Sequence, residues 1–265
     1  MNADCFALRF NLHKCGYSVP ENAGVFSKMY EVDEAFLKNC LENYEIVNKK
    51  SAVGIIGETN FSKYGGEIKG KKILFLGDSI TSERMSYGKI LEKVLDCCVT
   101  DGAISLSRTI DLITVLDRQL YDNKPDIVSV MIGTNDSTFS DKEKRCSFTS
   151  AAEYERNINI IIDKIRKTGA EIILNSIPEA NYDKFNEINE FWSVSRENNV
   201  IFNSILQKAA QRNSLIYNDF RDEMRKHNIS LLFEPDAIHP SPYAHRIIAR
   251  EVLKKLIYLH TKSDI

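Results

Sequence analysis

A three-layer α/β sandwich around a five-stranded parallel sheet is the fold this 265-residue sequence predicts, and three observations carry that expectation. Short apolar runs alternate with amphipathic helical patterns from residue 72 to residue 259. Five such runs occur, and helices between parallel strands cover both faces of the sheet they build. The composition, 43% hydrophobic and 27% charged, is that of a globular chain and excludes disorder, collagen and coiled coil as descriptions of the whole. Right-handed crossovers then leave the doubly wound topology as the leading arrangement.

The elements follow in order. Before residue 71 there is one helical pattern, over 32–47, with apolar Phe36, Leu37, Cys40, Leu41 and Tyr44 on one stripe. The turn-rich stretches Tyr64-Gly65-Gly66 and Lys69-Gly70-Lys71-Lys72 come after it. Residues 1–70 are expected to form an accessory segment whose stripe packs on the main domain, residues 71–265, with the rim of its site as one place for it and a partner subunit as the rival reading. The first strand is 73–76 and is followed by a helix over 83–95. The second strand, 97–100, leads to a helix over 106–121. The third, 126–132, is rich in β-branched residues and precedes a helix over 151–167 that stops at Gly169. A fourth strand over 171–176 leads to a helix over 197–212, a fifth over 215–217 to a last helix over 242–259 that opens on Pro242.

Charge and spacing narrow the function. Lys and Arg total 35 against 37 Asp and Glu, a net charge of −2, so the basic excess of a general nucleic-acid binder is absent. No apolar run approaches the roughly 18 residues of a membrane span, and the first ten residues carry no leader pattern, so a cytoplasmic protein is expected. Cys5, Cys15, Cys40, Cys97, Cys98 and Cys146 form no C-x-x-C pair and are expected as reduced, buried thiols. His13, His227, His245 and His260 lack ligand spacing, so neither a metal nor an organic cofactor is expected, and His245 is expected on the surface of the last helix. No phosphate loop or dinucleotide fingerprint occurs.

In doubly wound sheets ligands bind beyond the carboxyl ends of the strands, so the residues after each strand are the informative ones. Gly77-Asp78-Ser79 follows the first, Asp101-Gly102 the second, and Gly133-Thr134-Asn135-Asp136 the third, while Asp236-Ala237-Ile238-His239 lies late in the chain. Each alone has a plain structural explanation: a helix cap for Ser79, a turn for Gly102 or Asn135, a loop histidine for His239. Together they supply a nucleophile, a base, an acid to orient that base, and donors for an oxyanion. The α/β-hydrolase elbow G-x-S-x-G is absent, because Thr81 stands at its second glycine.

These four blocks resemble those of the SGNH, or GDSL-type, hydrolases over residues 72–259. The resemblance implies a parallel sheet in order 2-1-3-4-5, Ser79 as nucleophile, His239 as base and Asp236 as the acid that orients it. It also implies an oxyanion hole made by the N–H groups of Ser79 and Gly102 and the amide of Asn135. The second block departs from the family pattern, since Thr100 stands where an Asn is frequent and no second Gly follows. The implied activity is serine ester hydrolysis on a small-molecule ester, with a small acyl group on a carbohydrate as the preferred substrate. Acyl transfer to a sugar hydroxyl would use the same residues, and a binding protein with an idle triad is the non-enzymatic alternative. The loops 137–149 and 178–195 are expected to shape the pocket, with Trp192 either packed or lining an acyl or sugar subsite.

Overall fold

The computed structural model describes residues 8–11, 22–59, 61, 65–95 and 97–261. Cys5, Cys15 and His13 lie outside them. Five parallel strands form one sheet: β1 (Lys72–Gly77), β2 (Cys98–Asp101), β3 (Ile127–Met131), β4 (Glu171–Asn175) and β5 (Ile216–Asn218). Their order is β2-β1-β3-β4-β5, the doubly wound order that places the switch point between β1 and β3.

Both faces of the sheet are apolar because successive strand residues point to opposite sides. Ile73 and Phe75 enter one core with α4 (Tyr87–Val94) and α12 (Pro242–Thr261), whereas Leu74 and Leu76 enter the other. That second core is closed by α5 (Thr109–Asn123), α7 (Ala151–Arg166) and α9 (Arg196–Arg212). The sequence patterns place these strands and long helices to within a few residues.

Several short helices are not foreseen by those patterns. The expected 83–95 helix is α4 alone: residues 83–86 form a turn that begins at Glu83, whose side chain is fully buried, and a separate short helix, α3 (Ser79–Ser82), precedes it. The others are α6 (Thr134–Ser137), α8 (Tyr182–Ile188), α10 (Arg221–Met224) and α11 (Ile229–Leu232), too short to leave an amphipathic period.

Before β1 lie α1 (Ala23–Tyr30) and α2 (Glu34–Glu58), the latter eleven residues longer at its end than the expected 47. Asp33 caps α2 by accepting the N–H of Phe36 at 2.8 Å. Helix α2 packs on α4 and α12, and Ala52 and Ile55 join the core that holds Phe75 and Leu256. Its last turn is tied to α12 by ion pairs from Glu58 to Arg246 and Arg250. Of the expected stripe, Leu37 is fully buried in a small cluster with Leu8, Ala23 and Phe26, but Phe36 is 39% exposed, because the helix turns its first apolar residue outward.

The cysteine expectation is likewise corrected: Cys98 and Cys146 are exposed, and Cys40 and Cys97 only half-buried. Cys98 begins the edge strand β2, and Cys146 lies in a surface loop, so neither reaches the core. Among the described residues no helix is long and apolar enough to cross a membrane.

If α2 carries stability through its packed face, Ile55→Ala should cost about 2–5 kcal/mol in urea unfolding. Val53→Ala, on the 73% exposed face of the same helix, should change it by less than about 0.5 kcal/mol.

Candidate active site

The carboxyl ends of β1 and β3 lie side by side, with Gly77 paired to Met131. A Cβ at Gly77 would collide with Thr81 Oγ1 and the Met131 carbonyl, so only glycine permits the turn that lifts Ser79 over the sheet edge. Asp78 caps α3 by accepting the Ile80 N–H at 3.0 Å, and Ser79 opens that helix with its own N–H unbonded among the described residues. After β3, Gly133 sits at φ 135°, where a Cβ would meet Ile177 and Tyr154 at 2.6 Å. That turn starts α6 and sets Asn135 at the same rim.

The Asp236 loop reaches this rim from the far end of the chain. Ala237 takes φ 66°, and the loop closes on itself through Glu234 N–H to the His239 carbonyl at 2.9 Å. Asp236 Oδ1 accepts the N–H groups of Ile238 at 3.1 Å and His239 at 3.0 Å, while Oδ2 lies 2.7 Å from His239 Nδ1. His239 Nε2 is 2.8 Å from Ser79 Oγ. Burial pushes the Asp236 carboxyl up, yet the bonds from the His239 ring and the two N–H groups outweigh it and hold it below its ordinary value. A carboxylate at Nδ1 selects the tautomer with its proton there, leaving Nε2 free to accept from the serine.

Ser79, Asn135, Asp236 and His239 therefore line one cavity of about 470 Å³. The Asn135 amide donates one hydrogen to the Ser107 carbonyl at 2.9 Å, which fixes its plane. Gly102 is not part of this cavity. Its N–H continues the sheet ladder to the Phe75 carbonyl at 2.9 Å, and a Cβ there would press on Gln119, Leu74 and Leu76. The sequence-based assignment of Gly102 as an oxyanion donor is thus corrected, because β2 and its hydrogen bonding run one residue further than expected. The chain returns to the cavity four residues later at Leu106, a left-handed residue at φ 67° whose N–H has no acceptor among the described residues.

The remaining walls come from loops. Trp192 lines the cavity, and its ring meets Phe148 edge to face at 6.0 Å between centroids. Phe148 and Trp192 belong to the two loops expected to shape the pocket, and those loops are joined by Phe139 N–H to Ser193 O at 2.8 Å and Ser193 N–H to Phe139 O at 3.2 Å. Phe10 also lines the cavity, with its ring 4.2 Å from that of His239. Sequence reasoning misses Phe10, since nothing local distinguishes an aromatic residue in the turn at residues 10–11. His245, expected at the surface, is fully buried: its Nδ1 accepts the Tyr87 N–H at 3.2 Å and its Nε2 donates to Glu83 at 3.0 Å.

The sequence model of the GDSL-like lipase/acylhydrolase family matches residues 75–247. No curated protein matches the chain. Among solved structures, a lipase/acylhydrolase from Enterococcus faecalis superposes with a TM-score of 0.59 at 17% identity, covering 71% of this chain and 96% of that one. A variant of Axe2, an acetyl xylan esterase from Geobacillus stearothermophilus, superposes at 0.57 and 21%, covering 72% and 96%.

Burial beneath Ser79 raises the Asp78 carboxyl to about 7, with the Ile80 N–H and Thr134 hydroxyl opposing the rise and Asp136 adding to it. The unfolded chain then gives up this proton at lower pH than the folded one, so stability should fall between pH 4 and 7. Asp78→Asn keeps a cap acceptor and removes the buried charge. Its melting temperature should exceed that of the parent by an amount growing from near zero at pH 4 to its full size above pH 7, at roughly 2–4 °C per kcal/mol. Thermal scans across that range check it.

Proposed function

The chain belongs to the GDSL-like lipase/acylhydrolase family, and from that premise we propose that it is a serine esterase working through an acyl-enzyme on Ser79. One observation carries the reading: the unbroken run of hydrogen bonds from Ser79 Oγ through His239 to Asp236, at 2.8 and 2.7 Å, opening onto a cavity.

The chemistry follows from that run. Ser79 Oγ attacks the ester carbonyl carbon as its proton passes to His239 Nε2, and the carbonyl π pair moves onto oxygen. The imidazolium that forms is stabilised by the Asp236 carboxylate. When the tetrahedral intermediate collapses, His239 returns the proton to the departing alkoxide and the alcohol leaves. Water then attacks the acyl-Ser79 carbonyl, again giving its proton to His239, and the acid departs with Ser79 restored. The Ser79 N–H at the start of α3 and the second hydrogen of the Asn135 amide are suited to receive the oxyanion. The unbonded Leu106 N–H takes the part expected of Gly102. Each such donor is worth about 3–4 kcal/mol in comparable sites.

A small acyl group on a carbohydrate is the substrate class we favour. The flat rings of Trp192 and Phe148 offer a stacking face beside the serine, and the cavity has room for a sugar ring as well as a short acyl chain. A panel of acylated sugars and aryl esters, run with and without free sugar acceptors, tests this. Release of free acid supports hydrolysis, acylated acceptor identifies transfer, and no turnover of any ester overturns the reading.

Ser79→Ala should abolish turnover and labelling by a fluorophosphonate while melting like the parent; retained turnover would remove Ser79 from the mechanism. Asn135→Ala should lower kcat by about 10²–10³ with little change in KM, as expected for a group that acts on the transition state. A raised KM at unchanged kcat would instead make Asn135 a substrate contact.

A further inference from the structure

A buried charge cluster lies directly behind the triad, and it is closed by a residue well outside the 75–247 span of the family match. Arg9 is 2% exposed. Its Nε donates to Glu83 Oε1 at 2.6 Å, and its Nη2 donates both to Glu83 and, at 2.8 Å, to Glu234 Oε1. These two carboxylates belong to the two pieces of chain that must meet for catalysis. Glu83 ends the turn begun by Ser79, giving its N–H to the Ser79 carbonyl at 3.0 Å. Glu234 is the base of the loop that carries Asp236 and His239, giving its own N–H to the His239 carbonyl.

The chain around Arg9 is held as firmly as its side chain. The carbonyls of Leu8 and Arg9 accept from Arg84 Nε and Arg84 N–H, both at 2.9 Å, and the Phe10 carbonyl accepts from Ser105 Oγ. Asn11 donates to the Ser82 carbonyl. This anchoring brings the Phe10 ring onto the His239 imidazole, tilted at 42°.

We propose that Arg9 and Phe10 are positioning residues of the esterase: Arg9 clamps the serine turn to the histidine loop, and Phe10 backs the imidazole that bridges them. The proposal rests on the serine-esterase reading of the same site. Its physical basis is the guanidinium fork, which can bond two carboxylates in one plane, as a lysine ammonium cannot. The triad bond joins residues 160 apart in sequence, and nothing local fixes its length. An error of about 1 Å in such a contact can cost on the order of 10² in rate.

The test compares four variants of the full chain with the parent on one ester substrate. Turnover is expressed per Ser79 labelled by the fluorophosphonate, and the labelling rate is measured separately. Arg9→Lys keeps the charge and loses the fork, while Glu234→Gln loosens the other end of the clamp without stranding Arg9. Both should lower kcat per labelled site by about 10–100-fold and slow labelling in parallel, with KM changed far less. Phe10→Ala should behave likewise, and Phe10→Leu should recover most of the loss.

Glu58→Gln serves as the control for a merely structural role, because it loosens α2 from α12 without touching the site. It should lower the melting temperature and leave kcat per labelled site unchanged. Should Arg9→Lys fail to fold, Glu234→Gln and the Phe10 pair decide the matter. Parent-like kcat in Glu234→Gln and Phe10→Ala overturns the proposal, as does a loss that only tracks melting temperature along the line set by Glu58→Gln. A parent that neither turns over esters nor labels at Ser79 overturns the esterase reading itself, a result distinct from either.

Discussion

Parallel strands all end on the same edge of their sheet, and every other feature of this molecule is arranged around that constraint. The register that pairs Gly77 with Met131 sets the serine turn and the asparagine turn side by side. The sheet lies between two apolar cores, so its central strands are mostly apolar, and the polar residues at the rim, Ser79 and Asn135, come from positions past the strand ends. The triad is the most demanding product of this arrangement. One hydrogen bond, between Ser79 Oγ and His239 Nε2, must close between a turn near residue 79 and a loop near residue 239, and the sheet brings only the first of those partners into place.

Placing a hydroxyl over the edge of a dry sheet also draws acids into the interior, and the chain accommodates three of them in different ways. Asp78 has a helix-cap bond and the Thr134 hydroxyl, and burial still raises it. Asp136 is also raised by burial, although Thr109 answers it with an N–H at 2.9 Å and a hydroxyl at 2.6 Å. Glu83 is held below its ordinary value despite complete burial, because His245 and Arg9 both face it. The difference between the first and the last is the arginine that a distant part of the chain brings to Glu83 and not to Asp78.

That difference also explains what the sequence reveals and what it conceals. Strands, long helices and the blocks after the strands are local patterns, so Ser79, Asn135, Asp236 and His239 stand out in the amino-acid sequence alone. Gly102 misleads because a donor's usefulness depends on one strand boundary, and the ladder to Phe75 extends one residue past the expected end. Arg9, Glu83 and His245 leave no trace there, since their contacts span 74 to 225 residues and charged side chains at such spacing have no period to detect. Phe36 and Leu37 are adjacent and equally apolar, and only the docking angle of α2 decides which one is buried.

The two strand-like bonds between Phe139 and Ser193 make the loops carrying Phe148 and Trp192 a single mechanical unit. Neither wall can retune alone. A substitution that re-aims one ring shifts the surface against which the other packs, so changes in the two loops combine non-additively. For anyone redesigning the selectivity of this pocket, the unit of variation is therefore the stitched pair, and libraries built on one loop at a time will sample mostly mismatched halves.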